Sequence, residues 1–299
     1  MFMSSIPGNI ITICILLQKK YRHVSTAMFL IFLAFADIIV LFQCLFEWIE
    51  FNFQIIYTSI IHCWITITLF VVGRYASPLM LVVISIERLL SVAAPLHVKR
   101  ILTMKVAKFS IAFVWILSFG MSSTVASFLK FDPDKPCIID DKFASFYFTY
   151  MGWIEFTFDS IAPFVIILIC SVIIIVLLSK RKMKSSKSSR TFRRSVTVTM
   201  LIVNIVFLVT KFPLMLINLL YGGIIDNVIS TDLTAIENHL RMLYLSNSFL
   251  LLSRLNSVLN FYVYFVTGTR FRQDMKNVFA RCKRNREGTV MEYSSRNIT

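Results

Sequence analysis

Seven apolar stretches divide this chain, at roughly 4–18, 26–48, 63–92, 106–129, 147–179, 195–221 and 241–266. Six are long enough to cross a hydrocarbon layer of ~30 Å at ~1.5 Å of rise per residue. In hydrocarbon no water can satisfy the backbone, so every N–H and C=O must bond within its own segment. Such stretches therefore fold as helices. The first is shorter: Ile6 to Leu17 spans about 12 strongly apolar residues, against ~17–25 for a full crossing. A signal peptide does not account for it, because no basic segment precedes it. Gln18-Lys19-Lys20-Tyr21-Arg22 follows where a small-residue cleavage site would stand. We read it as the second half of a spanning helix that begins upstream of Met1. Composition agrees: 57% of the 299 residues are apolar and 16% charged, with a mean hydropathy of +0.74. A soluble domain carries about a quarter charged residues. The balance excludes a soluble enzyme, a disordered chain and a small disulfide scaffold.

The net charge of +15 would suggest nucleic acid in a soluble protein, but its distribution says otherwise. Lys19, Lys20 and Arg22 follow the first stretch, and Lys99, Arg100, Lys105 and Lys108 follow the third. Eight more lie between Lys180 and Arg194, and eight from Arg270 onward, so these segments hold 23 of the 31 Lys and Arg. The alternate connections hold Lys130, Lys135 and Lys142, set among Asp132, Asp134, Asp140 and Asp141. That asymmetry obeys the positive-inside rule. It predicts seven crossings of the plasma membrane, an outside N-terminus and a cytoplasmic C-terminus. The basic excess then reads as topology and attraction to anionic lipid, with no nucleic-acid partner. Arg74, Arg88, Lys211, Arg241 and Arg254 remain in or at the edge of spans, where charge is expensive and by default functional.

One or two features per stretch then align in order. Gly8-Asn9 stands in the first. Leu33-Ala34-Phe35-Ala36-Asp37 stands in the second. Cys63 opens the third and Glu87-Arg88-Leu89 closes it, with Pro95-Leu96 beyond. Trp115 marks the fourth, and Cys137 lies in the connection after it. Pro163 and Pro213 mark the fifth and sixth. Asn260-Phe261-Tyr262-Val263-Tyr264 ends the seventh, with Phe271-Arg272 following. From residue 8 to about 282 the chain resembles the rhodopsin-like G-protein-coupled receptors. The Asn256-Ser257 to Tyr264 form and the short third inner loop look most like invertebrate-type peptide receptors.

The resemblance implies an all-α fold, a seven-transmembrane helix bundle over 1–267 with a short amphipathic eighth helix and cytoplasmic tail over 268–299. It implies a disulfide between Cys63 and Cys137, and it makes Cys282 a palmitoylation candidate. Glu87, Arg88 and Leu96 become the G-protein-coupling residues. Two partners of the family's switch differ: Ser171 stands where a Tyr is expected, and Arg193-Arg194 where helix six usually carries an acid. An ionic latch between helices three and six is therefore not expected. Asn9, Asp37, Ser77, Asn256, Ser257, Asn260 and Tyr264 resemble the family's ion site and switch network. Lys211 replaces the usual Trp above that site, and Arg74 lies one turn above Ser77. We expect Lys211 or Arg74 to supply the counter-charge of Asp37, so that sodium is weak or absent there; no other cofactor and no metal is expected. Pro78, Pro163 and Phe207 match the connector between helices five and six.

Glu47, Arg74, Glu155, Asp159, Lys211 and Arg254 are expected to converge on a central ligand cavity, or to satisfy one another as internal pairs. Such a cavity suits a polar or peptide ligand and not a lipid. Acids in the outer connections would steer cationic peptides to it, amidated ones included. Ser185, Ser186, Ser188, Ser189, Ser294 and Ser295 are candidate phosphorylation sites for arrestin recruitment. Three functions compete at this point: a receptor that passes an extracellular ligand, a neuropeptide by preference, to a heterotrimeric G protein; a transporter or channel using the intramembrane charges; and a receptor-like protein that does not signal. An enzyme is not expected. The four His are scattered, and no catalytic triad, phosphate-binding loop or internal repeat is present.

Overall fold

The computed structural model describes residues 2–53, 59–95, 97–132, 137–180, 187–221, 233–268, 271–278 and 280. Seven helices run through it: α1 (Phe2–Leu16), α2 (Ser25–Phe53), α3 (Ile60–Ala93), α4 (Met104–Ser127), α5 (Asp141–Lys180), α6 (Lys187–Tyr221) and α7 (Leu233–Thr267). Residues 271–278 form α8. Six of the seven contain segments long and apolar enough to cross a membrane, and α1 carries a shorter apolar helix, Ser5–Leu16. The fold is the all-α bundle expected, and the chain is a multi-pass membrane protein.

The helices overrun the apolar stretches because lipid does not set their ends. The Asp140 carboxylate accepts the Lys142 N–H at 3.1 Å and starts α5 six residues before the apolar stretch at 147. Ser59 caps α3 through the His62 N–H at 3.2 Å, and Thr103 caps α4 through the Val106 N–H at 3.3 Å. Each cap satisfies one of the orphan donors of a first turn.

α3 stands in the middle, packed on α2, α4 and α5, while α6 pairs with α7 and α1 with α2. The core draws Leu33 from α2, Met80 and Ile84 from α3, Ile167 from α5, Phe207 from α6 and Tyr264 from α7, all buried. Large apolar side chains also cover the outside: Phe109 and Ile116 on α4, and Ile169, Val172 and Ile175 on α5. Polar side chains such as Asn9, Asp37, Ser77 and Asn256 lie inside. A bundle with oil outside and polar groups inside is what a hydrocarbon solvent demands.

Two glycines allow close helix contact. A Cβ on Gly73 would stand 2.6 Å from Ile39 Cγ2, so α2 and α3 meet there backbone to side chain. A Cβ on Gly8 would stand 2.6 Å from Phe261 Cδ1. Phe261 takes the place of the family's proline, and the bare Gly8 backbone makes room for its ring.

After α4, β1 (Leu129–Lys130) pairs antiparallel with β2 (Ile138–Ile139), Leu129 facing Ile139. Cys137 precedes β2 and is bonded to Cys63 with the Cα atoms 5.7 Å apart. Cys137 has φ 60°, a left-handed backbone that turns its sulfur toward the top of α3. This disulfide defines one end of the bundle. Arg88, 25 residues along α3, lies about 37 Å away and defines the other. Near the Arg88 end, Lys20 and the Tyr21 hydroxyl both bind the buried Asp274 carboxylate and pin α8 to the α1–α2 connection. Cys14, Cys44 and Cys170 are free thiols. Leu96, Cys282, Ser185, Ser186, Ser294 and Ser295 lie outside the described residues.

Candidate functional site

Three ion pairs cross between helices on the disulfide side of the bundle. Arg74 on α3 donates to Glu155 on α5 at 2.7 Å. Lys211 on α6 meets both oxygens of Asp159 on α5 at 3.2 Å. Arg254 on α7 binds Glu47 on α2 through both terminal nitrogens, one of them at 2.9 Å. All six residues singled out in the sequence are thus brought together as cation–acid partners.

The division of labour on α5 depends on its backbone. Glu155 and Asp159 are four apart and would share a face of a regular α-helix. Here α5 widens into π-helical turns at Tyr147–Met151 and Thr157–Ile161. Such turns are rare, and concentrate at functional sites. The second offsets Asp159 from Glu155, so Glu155 reaches α3 while Asp159 reaches α6.

The pairs surround a small cavity of about 40 Å³ whose described lining includes Arg74, Asp159, Lys211 and Arg254, with Pro78 and Phe207 from the expected connector. Pro163, the third connector residue, is buried. The cavity continues down to Ser77, Asn256 and Ser257. There Asp37, fully buried, accepts from Ser77 Oγ at 2.7 Å on one oxygen and from Asn260 Nδ2 at 2.7 Å on the other. The Asn9 amide donates to the Ser257 carbonyl at 3.2 Å and ties α1 to α7. The expected counter-charge is not where the sequence put it. Lys211 and Arg74 turn to the acids of α5, and Asp37 holds neutral donors instead. Each cation follows the nearer carboxylate, and α5 supplies two.

At the Arg88 end the switch residues form a tight cluster. Glu87 Oε1 accepts from Arg88 at 2.8 Å, from Thr26 Oγ1 at 2.6 Å and from Ser25 Oγ at 3.1 Å. Arg88 also donates to Thr26 Oγ1. Among the described residues, then, Arg88 is held by its own neighbour and by α2. Tyr264 is buried, and its hydroxyl has no hydrogen-bond partner among the described residues. Its ring packs edge-on to Phe271 of α8 at 6.1 Å.

The sequence reading passed over a second polar cluster. Asn204 on α6 donates to Ser171 Oγ on α5 at 3.0 Å and accepts from Ser85 Oγ on α3 at 3.2 Å. All three are buried. Ser171 is the position that lacks the family's Tyr, and Asn204 fills the same gap from the opposite helix. The signal was present: Asn204 is an amide in the middle of an apolar span. Thr26 was missed for a different reason, since a lone hydroxyl near a helix end carries no pattern.

Comparison with known proteins places this geometry. Residues 8–264 match the family described as 7 transmembrane receptor (rhodopsin family). Galanin receptor 2a of Danio rerio is 26% identical over 297 residues, 95% of this chain and 77% of that protein. Leukotriene B4 receptor 1 of Rattus norvegicus is 27% identical over 142 residues, 47% of this chain and 40% of that protein. D(2) dopamine receptor A of Xenopus laevis is 29% identical over 185 residues, 59% of this chain and 39% of that protein.

Proposed function

Because this chain belongs to the rhodopsin family of seven-transmembrane receptors, we propose that it binds an extracellular peptide and passes the signal to a heterotrimeric G protein. The family's members are signalling receptors, so the transporter and enzyme readings fall away. The observation that carries the proposal is the set of three ion pairs around one cavity, each joining a different pair of helices. A ligand that engages one member of a pair changes how α5 is tied to α3 and α6. It thereby acts on a bundle with two arrangements, which is all that a ligand-driven shift requires. A charged cavity favours a polar ligand over a lipid, and the similarity to a galanin receptor favours a peptide.

The positive-inside distribution supports a plasma-membrane protein with the disulfide end outside and the Arg88 end in the cytoplasm. There Glu87 and Thr26 hold Arg88 in the resting arrangement, and its release offers it to the G protein. Arrestin would read a phosphorylated tail. A sodium ion at Asp37 would find the Asp37 carboxylate, Ser77 Oγ and the buried Oδ1 atoms of Asn256 and Asn260, which have no partner among the described residues. It would supply the positive charge that Lys211 and Arg74 spend on α5.

The test is expression in cells carrying a G-protein activation sensor, with a neuropeptide panel and Arg88→Ala as control. A peptide response that disappears with Arg88→Ala supports the reading. If no peptide acts through Arg88, while an ion current or solute uptake appears, the reading fails.

A further inference from the structure

The central cavity is unequal in what it leaves unspent. Its described charged lining is three cations, Arg74, Lys211 and Arg254, and one acid, Asp159. The acids behind them are committed. Glu155 takes Arg74 at 2.7 Å on one oxygen and the Tyr147 hydroxyl at 2.8 Å on the other. Glu47 Oε1 accepts from Gln43 at 2.9 Å and from Arg254 at 2.9 Å, and its Oε2 accepts from Arg254 as well. Asp159 faces Lys211 with both oxygens, and one of them also takes Ser160 Oγ at 3.2 Å.

Two of the three cations, Arg74 and Lys211, keep donor capacity. A guanidinium offers five N–H groups. Arg74 Nε has no hydrogen-bond partner among the described residues, while the Arg74 side chain stays 34% exposed against 13% for Glu155. Lys211 sits 3.2 Å from each Asp159 oxygen, longer than the ~2.7–2.9 Å of a tight charge-assisted bond. The Arg74–Glu155 pair therefore turns its positive end to the space, while Lys211 shares its edge of the space with Asp159.

We propose that this cavity receives a carboxylate, held between Arg74 and Lys211, so that the ligand enters with an anionic end. The proposal deepens the receptor reading and rests on it only for the ligand being a peptide, whose free C-terminus then makes this contact. A C-terminal amide, the form that acidic outer loops alone would admit, presents N–H groups to surplus donors and is disfavoured. Taking a carboxylate loosens Lys211 from Asp159, which frees α6 from α5. Binding and release of the helix are then one event.

The experiment uses the full chain purified in lipid nanodiscs and follows its thermal unfolding. The probes are N-acetylphenylalanine, its carboxamide and propionate, at constant ionic strength in sodium chloride. The expected result is a dose-dependent rise in Tm with N-acetylphenylalanine, with at least tenfold weaker response to the carboxamide. The rise disappears in Lys211→Gln and in Arg74→Gln/Glu155→Gln, a double variant that leaves no acid unpaired. Equal shifts from acid and amide, a shift that survives both variants, a matching shift from chloride, or no shift at millimolar acid overturns the assignment. Equal shifts from propionate overturn the peptide end and assign the site to small free acids. Because the readout needs no G protein, an acid-selective shift without signalling condemns the receptor reading alone. Signalling by amidated peptides without an acid-selective shift condemns this proposal alone.

Discussion

Single positions show how far this chain departs from its family and how it compensates. Phe261 stands where the resemblance leads one to expect proline, and its ring lies against Gly8. The two positions are far apart in sequence, and the pairing is steric. Gly8→Ala places a methyl group 2.6 Å from Phe261 Cδ1, so ring or helix must shift. Overpacking of this kind costs about 1–3 kcal/mol. Thermal unfolding of the purified protein is expected to show a lower Tm for Gly8→Ala, with a smaller loss when Gly8→Ala is made in a Phe261→Ala background that lacks the ring atoms. An additive double variant would mean the two positions are not coupled. Lys211 is the other departure. A lysine inside a span was legible as functional from its cost alone, but its partner was not. Asp37 and Asp159 were both available acids, and only the packed helices place Lys211 beside Asp159.

Among the helices, α5 and α6 carry the instructive differences. The sequence marked α5 as a spanning helix with a proline, and both features are present. It gave no sign of the π-helical turns, because a widened turn is set by the tertiary contacts that reward it and not by local propensity. Asn204 on α6 joins α3 and α5 through Ser85 and Ser171, so it ties α6 to both neighbours. Each neutral hydrogen bond is worth about 0.5–1.5 kcal/mol. Removing both by Asn204→Leu is therefore expected to raise the open population of α6 severalfold or more. Spin labels near the Arg88 ends of α3 and α6 should report a longer distance component in Asn204→Leu without any ligand. An unchanged distance distribution would show that the cluster fills space and does not hold the helix. At α8, Lys20 and Tyr21 hold Asp274, and Asp274→Asn is expected to weaken that anchor with little effect on the cavity.

The whole molecule is a bundle whose polar groups face inward and whose oily groups face out. Its two ends differ in chemistry: a disulfide-linked hairpin at one, and at the other the Glu87–Arg88–Thr26 cluster with Lys20 bound to Asp274. The charge asymmetry predicts that a C-terminal epitope tag is stained in permeabilised cells only. An N-terminal tag is expected to be stained in intact ones. The reverse pattern would contradict the reading of which end meets the ligand. Lys130, exposed on the hairpin, bonds to Asp141, and that hydrogen bond raises its ammonium above the ordinary range. The sequence alone determined that this chain is a seven-helix membrane bundle and which positions would be costly to bury. Hydrophobicity, proline and charge distribution act locally, so a linear reading recovers them. Only the tertiary structure decided which costly groups pair. That outcome depends on helix rotation, on the turns of α5 and on atoms more than two hundred residues apart, and none of these leaves a mark on the local pattern.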